Sequence, residues 1–75
     1  MYGLFITKYA LEDSKLLSPH LCSGENGSMA LYRYRPDAET LRSLLENRNP
    51  GAVYEILPVK VDVHYSQEVK IKISL

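Results

Sequence analysis

The chain has 75 residues, nine Lys or Arg against nine Asp or Glu, and 45% hydrophobic residues. Such a length holds one small domain over residues 1–75, and the balance is that of a globular chain rather than a disordered one. Zero formal net charge argues against a protein whose main task is gripping phosphate backbones, and a single cysteine rules out an internal disulfide.

Residues 2–9, Tyr-Gly-Leu-Phe-Ile-Thr-Lys-Tyr, are aromatic and β-branched without helical periodicity. They predict a strand covered on both faces, because Leu4, Phe5 and Ile6 are adjacent apolar residues. Residues 10–19 have irregular apolar spacing and read as a loop with some helical character, ended by Ser18-Pro19. Asn26-Gly27 is the pair that a type I′ turn favours, since both of its central positions need positive φ. It predicts a hairpin with arms His20–Glu25 and Ser28–Arg35. On the second arm Ala30, Tyr32 and Tyr34 alternate with Leu31, Arg33 and Arg35. The glycosylation-like triplet Asn26-Gly27-Ser28 reads better as that turn than as a modification site.

Residues 37–48 predict a helix. Asp37 follows Pro36 where an N-cap belongs, and Glu39 sits near the positive end of the helix dipole. Ala38, Leu41, Leu44, Leu45 and Arg48 follow helical spacing, giving one stripe to lay on a sheet. Asn49-Pro50-Gly51 stops it. From Val53 to Tyr65 the period becomes two. Leu57, Val59, Val61, Val63 and Tyr65 fall on one face, with Lys60, Asp62 and His64 on the other. Pro58, without an N–H, predicts an edge or a bulge at that point. Val69, Ile71, Ile73 and Leu75 alternate with Lys70, Lys72 and Ser74 in a last strand. A two-residue loop at Ser66-Gln67 would set Val63 against Lys70 and mix the faces. A three-residue loop pairs Val63 with Ile71, Val61 with Ile73 and Asp62 with Lys72, but offers no glycine for its left-handed position. A five-residue loop, or pairing across a subunit boundary, remains open. The sum is an α+β domain, a small mainly antiparallel sheet of about four or five strands with one helix on one face.

Sites with chemistry are scarce. His20 and Cys22 share a strand face, but nothing marks an orienting group or an oxyanion site beside them. Asp62 and His64 share a face with Lys60, as on a solvated strand surface. His20, Cys22 and His64 lack the spacing of a metal site. No catalytic residue, cofactor or metal is expected. Tyr32-Arg33-Tyr34-Arg35, with Lys70 and Lys72, combines aromatic and cationic groups that bind single-stranded nucleic acid. Tyr and Arg also dominate protein interfaces, so Tyr32, Arg33, Tyr34, Arg35, Lys70 and Lys72 are the candidate interaction residues. The apolar start Met1–Ile6 has no basic residue ahead of it and ends at Lys8, unlike a signal peptide. No run is long enough to span a membrane, and the expectation is a soluble, cytoplasmic protein.

Tyr32-Arg33-Tyr34-Arg35, Pro36-Asp37-Ala38-Glu39-Thr40-Leu41 and Asn49-Pro50-Gly51-Ala52-Val53-Tyr54-Glu55-Ile56-Leu57-Pro58-Val59-Lys60-Val61 together resemble small uncharacterised bacteriophage and prophage proteins. The resemblance implies an accessory role in a phage or bacterial cytosol and transfers no functional residue. A domain this small buries only about 60% of its unfolded surface and usually carries a staple. With no disulfide or metal expected, the missing staple points to a partner. The expected function is a non-catalytic protein-interaction module, a homodimer or a binder of a host protein. The alternative is a small nucleic-acid-binding regulator using Arg33, Arg35, Lys70 and Lys72.

Overall fold

The computed structural model describes residues 1–24, 26–63 and 69–74, the side chains of residues 62, 63, 69 and 70 excepted. The described elements are β1 (Tyr2–Lys8), β2 (His20–Leu21), β3 (Leu31–Tyr32), α1 (Arg35–Arg48), β4 (Val53–Val63) and β5 (Val69–Ile73). All strand pairs are antiparallel, in the order β2-β1-β4-β5, with β3 also on β1. The α+β architecture expected from the sequence is the one observed. Residues 10–19 form a loop without helix, anchored where Leu16 N–H donates to Thr7 O (2.7 Å).

The expected hairpin forms only at its tip, where 22–24 face 28–30 across the turn, while its outer arms pair with β1 and not with each other. β2 and β3 are two pieces of one edge strand, both paired with β1. Phe5 pairs with Leu21 and Ile6 with His20, whereas Tyr2 pairs with Tyr32 and Gly3 with Leu31. The pieces meet at Leu4. Cys22 N–H donates to Leu4 O (2.9 Å), Leu4 N–H donates to Ala30 O (3.1 Å), and Ala30 N–H donates to Cys22 O (3.0 Å). The chain between them leaves the sheet as an excursion that Ser23 and Met29 bridge at its base. Gly24 N–H donates to Ser28 O (2.6 Å) and Gly27 N–H to Gly24 O (3.0 Å). Gly27, at φ +80°, takes the left-handed position that glycine occupies without steric cost. The closing pair is therefore Gly24 with Ser28, one residue off the two-residue turn expected at Asn26-Gly27. Asn26 Oδ1 contributes by accepting from Ser28 N–H (3.2 Å), the local bond that favours Asn in turns.

Helix α1 starts two residues earlier than expected. Tyr34, not Asp37, is the N-cap; it is extended (φ −117°, ψ 136°) and makes no side-chain cap bond. Pro36 falls in the first turn, where its missing N–H has no intrahelical partner to lose. Asp37 N–H instead donates to Tyr34 O (3.3 Å). At the far end Asn49 N–H donates to Leu45 O (2.8 Å), and Gly51, at φ +93°, turns the chain into β4. Arg35–Glu39 and Arg42–Glu46 are i, i+4 ion pairs of 3.3 Å on the outer side.

Ala38 and Leu41 on α1 pack with Leu4, Ala30, Tyr54 and Ile56, flanked by Tyr2, Ile6, Cys22, Tyr32, Leu44 and Leu45. This core lies on the even-numbered side of β1 and β4. Thr7, at a register shift between Ile6 and Lys8, is buried and satisfied, its hydroxyl donating to Val53 O (3.3 Å).

β4 changes neighbours along its length. From Val53 to Pro58 it pairs with β1, and from Val59 to Val63 with β5. Pro58 sits at the changeover. Val59 N–H donates to Met1 O (3.0 Å), so Pro58 faces β5, where its carbonyl accepts from Ser74 N–H (2.8 Å) and, lacking an N–H, it returns no bond, at the point where the β4–β5 ladder ends. The β4–β5 register is Val63 with Val69, Asp62 with Lys70, Val61 with Ile71, Lys60 with Lys72 and Val59 with Ile73. This is the five-residue connection through residues 64–68, within one chain, and it corrects the pairing of Asp62 with Lys72. Expectations for His64 and Tyr65 lie outside the described residues.

Candidate interaction surfaces

The six candidate residues do not form one site. Tyr32 ends β3 half-buried against the helix-side core. Tyr34 is the helix N-cap and 62% exposed, so the expected Ala30, Tyr32, Tyr34 row stops at Tyr32. The guanidinium of Arg33 lies 5.9 Å from the centre of the Tyr34 ring, within cation–π range. Arg35 is the first helical residue and engages Glu39. Lys72 is exposed on β5, opposite Lys60, and Lys70 stands in register with Asp62. β3 and β5 occupy opposite margins of the sheet. At about 4.8 Å per strand they stand about 14 Å apart. The arginines and lysines therefore do not converge.

The remaining pairs read from the sequence separate as well. Cys22 is half-buried beside the core, and burial pushes its thiol above the ordinary value, with a contact to the Ile6 backbone pulling the other way. An activated nucleophile needs the opposite shift. His20 is exposed, its Nδ1 3.1 Å from the Tyr9 hydroxyl and its ring edge-on to that of Tyr9. Among the described residues no three His, Cys, Asp or Glu side chains gather as metal ligands. Nor is any described helix long and apolar enough to cross a membrane.

Two features went unseen in the sequence. An open groove of about 880 Å³ runs between α1 and the excursion, lined by Met29, Tyr32, Asp37, Thr40 and Leu44 among others. It exists only because residues 23–29 leave the sheet. The second is the odd-numbered face of the sheet, opposite the helix. An antiparallel sheet covered on one side ordinarily turns polar residues to water on the other. Here that side carries Phe5, Leu21, Leu57, Val59, Val61, Ile71 and Ile73, and among the described residues no helix or strand packs over it. Phe5 and Val59 are 5% exposed, yet both stand outside the helix-side core. The ring of Phe5 lies across Gly3 beside Leu21, so close that a Cβ on residue 3 would stand 2.8 Å from Phe5 Cε2. Among the described residues Glu55 is the one acid on this face, 3.9 Å from Lys15 of the 9–19 loop. That loop also holds the two most exposed of the described leucines, Leu11 at 99% and Leu17 at 105%.

No protein-family model, curated protein or solved structure matches the chain.

Proposed function

We propose that this protein is a non-catalytic interaction module that self-associates through the helix-free face of its sheet. The observation that carries the reading is the row Phe5, Leu21, Leu57, Val59, Val61, Ile71 and Ile73 on a face over which no described helix or strand packs. Phe5 and Val59 are already buried by their neighbours, and the half-buried Leu21, Leu57, Val61, Ile71 and Ile73 are the ones that gain free energy when a partner removes the rest of their surface from water.

A second copy fits in charge, with an area that suits weak association. The chain is formally neutral, and among the described residues the face carries a single acid already beside Lys15, so two copies do not repel. β4 has 11 residues, about 37 Å at 3.4 Å per residue, and the face is two to three strands, or about 12 Å, wide. The outline of the face is thus about 450 Å² per copy, and because its residues are buried or half-buried a face-to-face pair removes less than about 900 Å² from water, the range of weak, transient interfaces. The association is therefore concentration-dependent rather than obligate. Leu11 and Leu17 add exposed apolar area on the loop that Lys15 links to Glu55.

Nucleic-acid binding through Arg33, Arg35, Lys70 and Lys72 has less support, because β3 and β5 stand on opposite margins of the sheet. The resemblance of residues 32–41 and 49–61 to phage and prophage proteins supports an accessory role for such a module in a phage or its bacterial host. Light scattering over a wide concentration range tests the proposal. A mass rising from one chain to two is expected, and one chain at every concentration would refute self-association.

A further inference from the structure

β5 is the last strand of the sheet, and no described strand pairs with its outer side. Ser74 N–H points to β4, donating to Pro58 O, so backbone alternation turns the N–H and C=O groups of Ile71 and Ile73 outward. Such an edge is a template for another strand.

Its side chains select which strand can use it. On one face Val59 stands beside Ile73 and Val61 beside Ile71; on the other, Lys60 stands opposite Lys72. Both lysines are exposed, and neither has an acidic partner among the described side chains, which do not include that of Asp62. Like charges directly opposite each other repel, so this pair is rewarded by a carboxylate brought alongside. A second copy of β5 does not supply it where the strands overlap well. In an antiparallel pairing of β5 with β5 of another copy, every register that keeps like faces together and overlaps three or more residues of Val69–Ile73 sets lysine against lysine. The register centred on Ile71, for example, puts Lys70 against Lys72 twice. The edge thus disfavours self-pairing, the protective use of lysine on edge strands, while remaining open to a strand of opposite charge.

We propose that the outer edge of β5 takes up an extended acidic segment of another protein by strand addition, its carboxylates alternating with apolar residues and standing beside Lys72, with Lys60 one strand further in adding to the positive field. The proposal rests on the reading of the chain as an interaction module but uses a surface separate from the helix-free face. Light scattering reports on that face, so either idea can fail alone.

The test is an NMR titration of the full chain with a blocked nonapeptide alternating valine and glutamate, and with its counterpart carrying lysine for glutamate. The glutamate peptide is expected to shift the amides of Ile71 and Ile73 and to slow their hydrogen exchange. The lysine peptide should bind about tenfold more weakly, and the double variant Lys60→Glu/Lys72→Glu should reverse that order. Equal binding of both peptides, binding that leaves Ile71 and Ile73 unprotected, or binding of neither would overturn the proposal. Both substitutions are at exposed positions, and a circular dichroism spectrum unchanged from the parent confirms that the variant is folded.

Discussion

Replacing Gly3 by alanine probes how the helix-free face is built. Gly3 lies within β1, paired with Leu57 on one side and Leu31 on the other. Alanine in a strand interior is ordinarily better than glycine by about 0.5–1 kcal/mol, because glycine loses more freedom on folding. Space reverses that gain here. The new Cβ would stand 2.8 Å from Phe5 Cε2 and 3.3 Å from Phe5 Cζ and Leu21 Cδ1, against a comfortable carbon–carbon separation of about 3.5–4.0 Å. The Phe5 ring, 5% exposed, has to move by about 0.7 Å or more. Overpacking of this kind costs about 1–3 kcal/mol, which leaves Gly3→Ala net destabilising by about 0.5–2 kcal/mol. Urea unfolding at constant m-value measures it. Phe5→Leu supplies the second arm of a double-mutant cycle, since leucine has no ring atoms to lie over residue 3. In that background Gly3→Ala should become stabilising by about 0.5–1 kcal/mol. A stabilising Gly3→Ala in the native background, or no coupling between the two sites, would refute the placement of Phe5 across Gly3.

Other expectations address the core and its titrating groups. Leu41, 6% exposed at the centre of the helix-side core, should cost about 2–5 kcal/mol when changed to alanine; urea midpoints read this, and a loss below about 1 kcal/mol would contradict its burial. Burial also raises the pKa of Cys22 and Tyr54 above their ordinary values near 9 and 10, contacts to Ile6 and Asn49 respectively opposing it. Each neutral form is favoured by folding, so the associated stability is intact below pH 9. It is lost as pH rises through the ordinary values toward the raised folded ones. Chemical denaturation between pH 8 and 11 should show this fall, with Cys22→Ala removing its earlier part; a flat profile in the parent would contradict the shifts.

What could be read from the sequence was local. The stripe of Ala38, Leu41, Leu44 and Leu45 gave α1, and alternation from Val53 onward gave β4 together with the partition of its two faces. Pro58 marked a place where β4 changes neighbours, because a residue without an N–H tolerates only positions that need no donor. Three features depended on long-range geometry instead. The edge strand broken at Leu4 is visible only when residues 20–22 and 30–32 are both set against β1. The helix start depended on Tyr34 O accepting from Asp37 N–H, whereas the cap preference of Asp37 pointed to a cap three residues later. The choice of face mattered most. Period two shows that Leu57, Val59 and Val61 share a side, but not which side α1 covers. The helix lies on Tyr54 and Ile56 instead, so the more regular apolar row is the one left without a helix. The candidate residues were chosen by type, and type does not record that β3 and β5 end up on opposite margins.

Sedimentation velocity of the parent beside Val61→Lys addresses the central claim most directly. Val61 is half-buried on the helix-free face, directly opposite Ile71, and an ammonium there has to be desolvated if two such faces meet. Lys60→Ser, on the reverse side of the same strand, serves as the control. The parent and Lys60→Ser should both shift from one chain toward two as concentration rises, while Val61→Lys stays a monomer with an unchanged circular dichroism spectrum. A parent that sediments as a single chain at every concentration, or a Val61→Lys variant that associates as the parent does, would contradict it.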